Sequence, residues 1–309
     1  MLGAIIGDIC GSVYEYTGYK NDNPWEIGLL APDAQDIPGK IFFTDDTVMT
    51  IAIAEAALGD KDYAGAMRKW GRKYPDAGYG GMFCNWLKSD DPKPYNNYGN
   101  GSAMRVSAIG WLANDLDECL AEARNTALPT HNHPEGIKGA QTVAAAIFLA
   151  LQGKRKDSIE ESVAQHYDFS RTLAERGERK DAIKEYVAQH YDLSRTLAEI
   201  RPNYEFNETC QATVPEAITC FLESLDYEST IQNAISLGGD ADTLACIAGS
   251  IAEAFYGTRS ILPCLVRLHR AYLPNEFKDV YQRFGESDKI QTLGMHGACQ
   301  LPYPYRKDY

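Results

Sequence analysis

The chain has 309 residues, enough for one large domain or two ordinary ones. Hydrophobic residues make up 44% and charged residues 24%, which excludes wholesale disorder. Acidic residues number 43 against 30 basic ones, and the resulting net charge of -13 excludes a broad basic face for nucleic acid or an anionic membrane. A phosphate ligand must then be held by backbone amides, one or two local cations or bound metal.

The chain opens Met1-Leu2-Gly3-Ala4-Ile5-Ile6-Gly7-Asp8, with no basic segment and an early acid, so it does not read as a secretory signal. No apolar run approaches the ~20 residues that a membrane span needs. Eight cysteines, at 10, 84, 119, 210, 220, 246, 264 and 299, include no CxxC pair. They read as small buried hydrophobes of a reducing, cytoplasmic protein. Gly3, Gly7 and Gly11 fall near one face of a predicted helix and uncover its backbone for a neighbour or a ligand. If that helix continues, Asp8 and Glu15 share a face. Glu15 is then either an exposed acid or a carboxylate that reaches a reacting centre.

Next comes Phe43-Thr44-Asp45-Asp46-Thr47, directly before a stretch at 47–58 that is apolar on nearly every face. Such a helix is central and buried. Threonine and aspartate are good N-caps, and acids favour the positive end of the helix dipole. Two adjacent carboxylates nevertheless exceed what one cap needs. Pro and Asn cluster at 89–100 and predict a loop. Gly99-Asn100-Gly101-Ser102-Ala103-Met104-Arg105 then opens a helix with small residues. Its N–H groups can face a phosphate, or the segment is an ordinary turn. It is neither a Walker loop nor GxGxxG. Arg105 is a phosphate partner or a structural salt-bridge donor.

Thr130-His131-Asn132-His133-Pro134-Glu135-Gly136 precedes a second all-apolar helix at 142–151. His131 either hydrogen-bonds a ligand or is structural; His133, beside Pro134, fits a structural turn better. A tandem duplication follows. Gly153 to Arg176 and Gly177 to Ile200 are identical at 18 of 24 aligned positions. Each copy predicts a short helix, an Asp-x-Ser cap (Asp168/Ser170, Asp192/Ser194) and a second short helix, with Gly177 breaking the run between copies. Two copies do not make a solenoid. The duplication is a surface passenger or an added contact element, and no long linker divides the chain into domains. The aromatic end, Tyr303 to Tyr309, predicts a tail over the body.

Leu237-Gly238-Gly239-Asp240-Ala241-Asp242-Thr243 repeats the earlier pattern, again before an apolar helix at 244–256. If the two helix starts meet, four carboxylates converge, and these cannot all stay ionised without cations. Hard oxygen donors select Mg²⁺, Mn²⁺ or Ca²⁺ over zinc, and two threonine oxygens enlarge the set enough for two metals.

Taken together and in order, these segments resemble the ADP-ribosylglycohydrolase family over roughly residues 1–257. The set includes Gly3-Ala4-x-x-Gly7-Asp8 and the Tyr79-Gly80-Gly81 turn. The resemblance implies a compact all-α bundle forming a single domain over 1–309, with two divalent cations, Mg²⁺ or Mn²⁺. It implies Thr44, Asp45, Asp46, Asp240, Asp242 and Thr243 as metal ligands, and Glu15, Asp45 and Asp242 as the carboxylates of catalysis. Gly80, Gly99, Asn100, Gly101, Ser102, Met104, His131 and Gly136 would line the substrate cleft. The reaction implied is hydrolysis of the N- or O-glycosidic bond between ADP-ribose and a protein side chain, arginine first, or a small acceptor. The competing expectation is a non-catalytic ADP-ribose-binding, metal-binding or interaction protein on the same fold. The duplication departs from the family pattern, and nothing in the sequence sets an oligomeric state.

Overall fold

The computed structural model describes residues 1–29, 42–160 and 169–293, without the side chains of 153–175 and 268–270. The chain end from 294 and the first copy's Asp168 and His166 therefore lie outside the described residues. In order, the α-helices are α1 (Leu2–Ser12), α2 (Asp45–Leu58), α3 (Tyr63–Lys73), α4 (Gly81–Lys88) and α5 (Gly101–Met104). There follow α6 (Ser107–Leu112), α7 (Leu116–Ala127), α8 (Pro134–Glu160), α9 (Phe169–Ala188), α10 (Leu197–Ile200) and α11 (Cys210–Leu222). The last five are α12 (Tyr227–Leu237), α13 (Ala241–Tyr256), α14 (Pro263–Tyr272), α15 (Asn275–Glu286) and α16 (Asp288–Thr292). Among the described residues the β pairing is a single bridge, Gly99 to Thr209, so the all-α expectation holds. No described helix is long and apolar enough to cross a membrane.

The centre is the pair α1 and α13, which run against each other along their lengths. Every residue of α1 is buried. Its glycine face meets the α13 backbone: a Cβ on Gly3, Gly7 or Gly11 would stand 2.3, 2.1 or 2.4 Å from the carbonyl oxygens of Gly249, Ala245 and Ala241. The two series share a four-residue step, so each bare position on α1 seats one turn of α13. The glycines thus serve a neighbouring helix. Around this pair pack α2, α8, α11 and α12, joined through Val48, Ile51, Ala144, Ile147, Phe221 and Ile231.

The duplication differs from expectation. Helix α9 runs unbroken through Gly177 from one copy into the next. Gly177 is exposed and nothing lies within 4 Å of its would-be Cβ. An interior glycine costs about 1 kcal/mol, which tertiary packing of the rest of the helix offsets. Among the described side chains that packing comes from the second copy, whose Ile183, Val187, Tyr191, Leu193, Leu197 and Ile200 are buried. Its Lys180 donates to the carbonyls of Phe221, Leu222 and Ser224 at the end of α11, where the helix leaves acceptors free. Asp192 does accept from the Ser194 amide, but α10 starts later, in a capping box of Thr196 and Glu199. Deleting Gly153 to Arg176 is therefore expected to leave thermal stability and turnover near wild type. A collapse of the melting transition would show that the first copy is needed.

Candidate functional site

The bracket for the site is Asp8. Its carboxylate, fully buried on α1, accepts from the Thr44 amide (3.0 Å), the Thr44 hydroxyl (2.8 Å), the Thr47 amide (3.1 Å) and the Thr47 hydroxyl. A residue of one helix thus supplies the anionic cap of another. Because α1 also seats α13, the start of α2 is brought to the start of α13. Thr243 Oγ1 donates to Asp46 Oδ2 across that junction at 3.2 Å, and Thr44 Oγ1 lies 3.3 Å from the same oxygen. Asp240 Oδ2 accepts from the Asn100 side-chain amide at 2.6 Å.

The two acidic helix starts therefore meet at one end of a cleft of about 450 Å³. Asp45, Asp46, Asp240, Asp242 and Thr243 line it, with Glu15 among them. Helix α1 stops at Ser12, so Glu15 shares no helical face with Asp8 and sits in the turn that follows. It reaches the acids nonetheless: carboxylate oxygens of Glu15, Asp240 and Asp242 lie within 4.8 Å of one another. The Thr44 hydroxyl is engaged by Asp8 behind this wall.

Burial governs the charge of the group. It pushes Asp45 up to about 8, with Asp8 and Asp240 adding repulsion. It pushes Asp8 up to about 6 against the hydrogen bonds from Thr47 and Thr44. Asp46 and Asp242 are raised well above the usual carboxylate range by burial, then by Asp8 and Asp240 respectively. Asp240 and Glu15 are raised by the same cause. Asp46 Oδ1 is buried with no hydrogen-bond partner. An orphaned carboxylate oxygen within a crowd of acids fits a hard divalent cation. Glu15, Asp240 and Asp242 would hold it, with Asp45 and Asp46 adjacent.

The rest of the lining includes Gly80, Gly99, Asn100, Gly101, Met104 and His131. The Gly99 amide is taken by Asn97 Oδ1 (2.8 Å) and that of Asn100 by the Glu208 carbonyl (2.7 Å). The amides left to face a ligand begin at Gly101, the first residue of α5. Arg105 resolves as a structural cation, donating to the Thr126 carbonyl and the Thr130 hydroxyl at 2.9 Å each. That hydroxyl lies 2.7 Å from His131 Nδ1. Through that contact the Thr130 hydroxyl orients the His131 ring. Burial and the Arg105 charge hold the ring neutral, its pKa well below the usual value. His133 sits in a structural turn, its Nδ1 accepting from the Glu135 amide.

Two expected lining residues stand one layer back. The Ser102 hydroxyl is buried and donates to the Gly136 carbonyl at 2.7 Å. A Cβ on Gly136 would lie 2.7 Å from the Asn97 carbonyl, so this glycine permits the close approach of two loops. Both hold the wall from behind because α8 begins beneath the Gly99 loop.

A model of the ADP-ribosylglycohydrolase family matches residues 1–290. The chain belongs to the ADP-ribosylglycohydrolase family. It is 30% identical to ADP-ribosylhydrolase ARH3 of Mus musculus, over 97% of this chain and 90% of that protein. It is 23% identical to ADP-ribosylarginine hydrolase Tri1 of Pseudomonas putida (strain GB-1), over 95% of this chain and 80% of that one. A solved structure described as an "ADP-ribosylglycohydrolase-related protein complex" shares the fold, with a TM-score of 0.62 at 21% identity, covering 96% of this chain and 97% of its own. This family member is a hydrolase, with metal-associated activity on ADP-ribose linkages.

The raised carboxylates give the metal-free enzyme a pH signature. The folded state keeps protons on Asp8 and Asp45 that the unfolded chain, with carboxylates near 3.8, releases earlier. Stability is thus present in acid and is lost as pH rises through the folded values of about 6 and about 8. Divalent cations bind the deprotonated forms and oppose the loss. The melting temperature in EDTA is expected to fall between about pH 5 and about pH 8, and added Mn²⁺ to raise it more at the upper value. An Mn²⁺ effect that is equal at both pH values would contradict this.

Proposed function

We propose that the cleft hydrolyses the glycosidic bond joining ADP-ribose to an arginine side chain, with two divalent cations, Mg²⁺ or Mn²⁺, among the acids. The observation that carries the reading is the meeting of the two acidic helix starts in one cleft with the Gly99–Met104 segment. The arginine linkage is further supported by the likeness to the ADP-ribosylarginine hydrolase over nearly the whole chain. Bound divalent ions would supply Lewis-acid polarisation and positive charge where an anionic substrate docks.

The chain's own groups do the rest. Asn100 orients Asp240 through its amide, and Thr243 fixes Asp46, so the carboxylates are held before substrate arrives. His131 places its Nε2 atom beside Gly101, where it can hydrogen-bond a group of the substrate. Bond cleavage passes through an oxocarbenium-like state at the anomeric carbon, and the departing nitrogen needs a proton. Burial raises the Glu15 carboxyl above its ordinary range, which favours its holding that proton, and Glu15 stands in the turn after α1 beside Asp240 and Asp242. Asp45 or Asp242 would accept the proton of the attacking water.

The test is ADP-ribose release from arginine-linked, serine-linked and O-acetyl substrates in EDTA, Mg²⁺ and Mn²⁺. Metal-dependent release from the arginine substrate is expected. Release confined to another linkage would replace arginine as the aglycone, and none from any substrate would favour a non-catalytic binder.

A further inference from the structure

Two exposed aromatic rings line the cleft together with the acids. Tyr16 is 78% exposed and Phe206 41%, and the rings stack with centroids 5.2 Å apart at 28°. Both line the cleft beside Glu15, Asp240 and Asp242. Tyr16 takes a left-handed backbone, φ 57, which is costly for a bulky residue and persists only where its surroundings enforce it. Glu15 precedes it in the same turn, with its carboxylate beside those of Asp240 and Asp242.

The rest of the fold holds this pair in place. Gly238 and Gly239, both at positive φ, stand directly before Asp240. A Cβ on Gly238 would lie 2.4 Å from the Tyr19 carbonyl, and one on Gly239 would lie 3.2 Å from the Phe206 amide nitrogen. The turn carrying Tyr16 and the loop carrying Phe206 are therefore both pressed onto the glycine pair that leads into the acids. Lys20 ties the two segments together, donating to the carbonyls of Arg201 and Tyr204.

We propose that Tyr16 and Phe206 form the aglycone platform, on which the guanidinium of the ADP-ribosylated arginine stacks with Glu15 at its edge. This rests on the arginine reading above. With the acids and the Gly99–Met104 segment taking the sugar and diphosphate, the group attached to the anomeric carbon leaves beside the acids, where the two rings are exposed. A guanidinium is planar, cationic and weakly hydrated, and it gains from an aromatic face and an adjacent carboxylate. A serine hydroxyl offers no such face. The cation in the cleft wall, Arg105, is buried among Thr126 and Thr130 and does not compete.

Steady-state kinetics on ADP-ribosyl-arginine and calorimetric binding of free ADP-ribose test this with the wild-type enzyme, Tyr16→Ala, Phe206→Ala and Phe206→Trp. Each alanine variant is expected to raise KM about tenfold with kcat within about twofold, and to leave the Kd for ADP-ribose within about twofold. Phe206→Trp is expected to restore KM, because a ring is retained. An unchanged KM, a parallel loss of ADP-ribose affinity, or failure of the tryptophan variant to recover would overturn the platform alone. Absence of wild-type turnover on the arginine substrate would overturn the parent reading and the platform with it.

Discussion

Asp242→Ala is expected to cut ADP-ribose release about a thousandfold or more while the circular dichroism of the helices stays that of wild type. The size follows from losing a carboxylate that carries cation charge to the transition state; about 4 kcal/mol of barrier corresponds to three powers of ten. The fold should tolerate the change, because Asp242 sits in a crowd of buried acids whose mutual repulsion falls when one is removed. Asp45→Ala is expected to behave alike, since Asp45 opens α2 on the same wall. Stopped assays of released ADP-ribose at saturating Mg²⁺ and Mn²⁺ provide the measurement. Unchanged turnover in both variants would sink the enzymatic reading of these acids.

Gly7→Val is expected to destabilise the protein by more than about 3 kcal/mol, or to prevent folding, although Gly7 touches no ligand. Its would-be Cβ lies 2.1 Å from the Ala245 carbonyl oxygen and 2.9 Å from the Cys246 nitrogen. Those atoms are backbone of α13, which is buried from Ala241 to Phe255, so neither helix can yield without moving the acids at their ends. Gly177→Ala is the matched control. That glycine lies inside α9 with open space around it, and alanine there is expected to stabilise by up to about 1 kcal/mol. Urea unfolding of the three proteins checks both signs, and a Gly7→Val variant as stable as wild type would refute the close-packed account of α1 and α13.

The local signals in the sequence were those carried by residue type next to helix pattern. Two acid pairs before all-apolar helices are visible as text, and the structure brings them together. The glycine series predicted close approach but left open what approaches, because a bare backbone suits a helix or a ligand equally. Asp8 could not be read as the cap of α2, since nothing local links residue 8 to residue 44. Glu15 reached the acids by a different route from the helical one expected, through a turn after Ser12. Gly177 misled because propensity is a weak local preference and the break it favours was overridden by packing from Ile183 onward. Ser102 and Gly136 share a segment with true lining residues, and only depth separates the two sets. Tyr16 and Phe206 gave no signal at all: an exposed aromatic in a loop becomes informative only when a second one, nearly two hundred residues away, is stacked on it.

The account turns on whether the joined helix starts take up divalent cations. Mn²⁺ titrated into EDTA-stripped, dialysed enzyme, with free ion followed by electron paramagnetic resonance, tests it most directly. Saturable uptake by the wild type, sharply weakened in Asp242→Asn, is the expected result. Free Mn²⁺ rising in step with the total from the first addition, equally in both proteins, would contradict it.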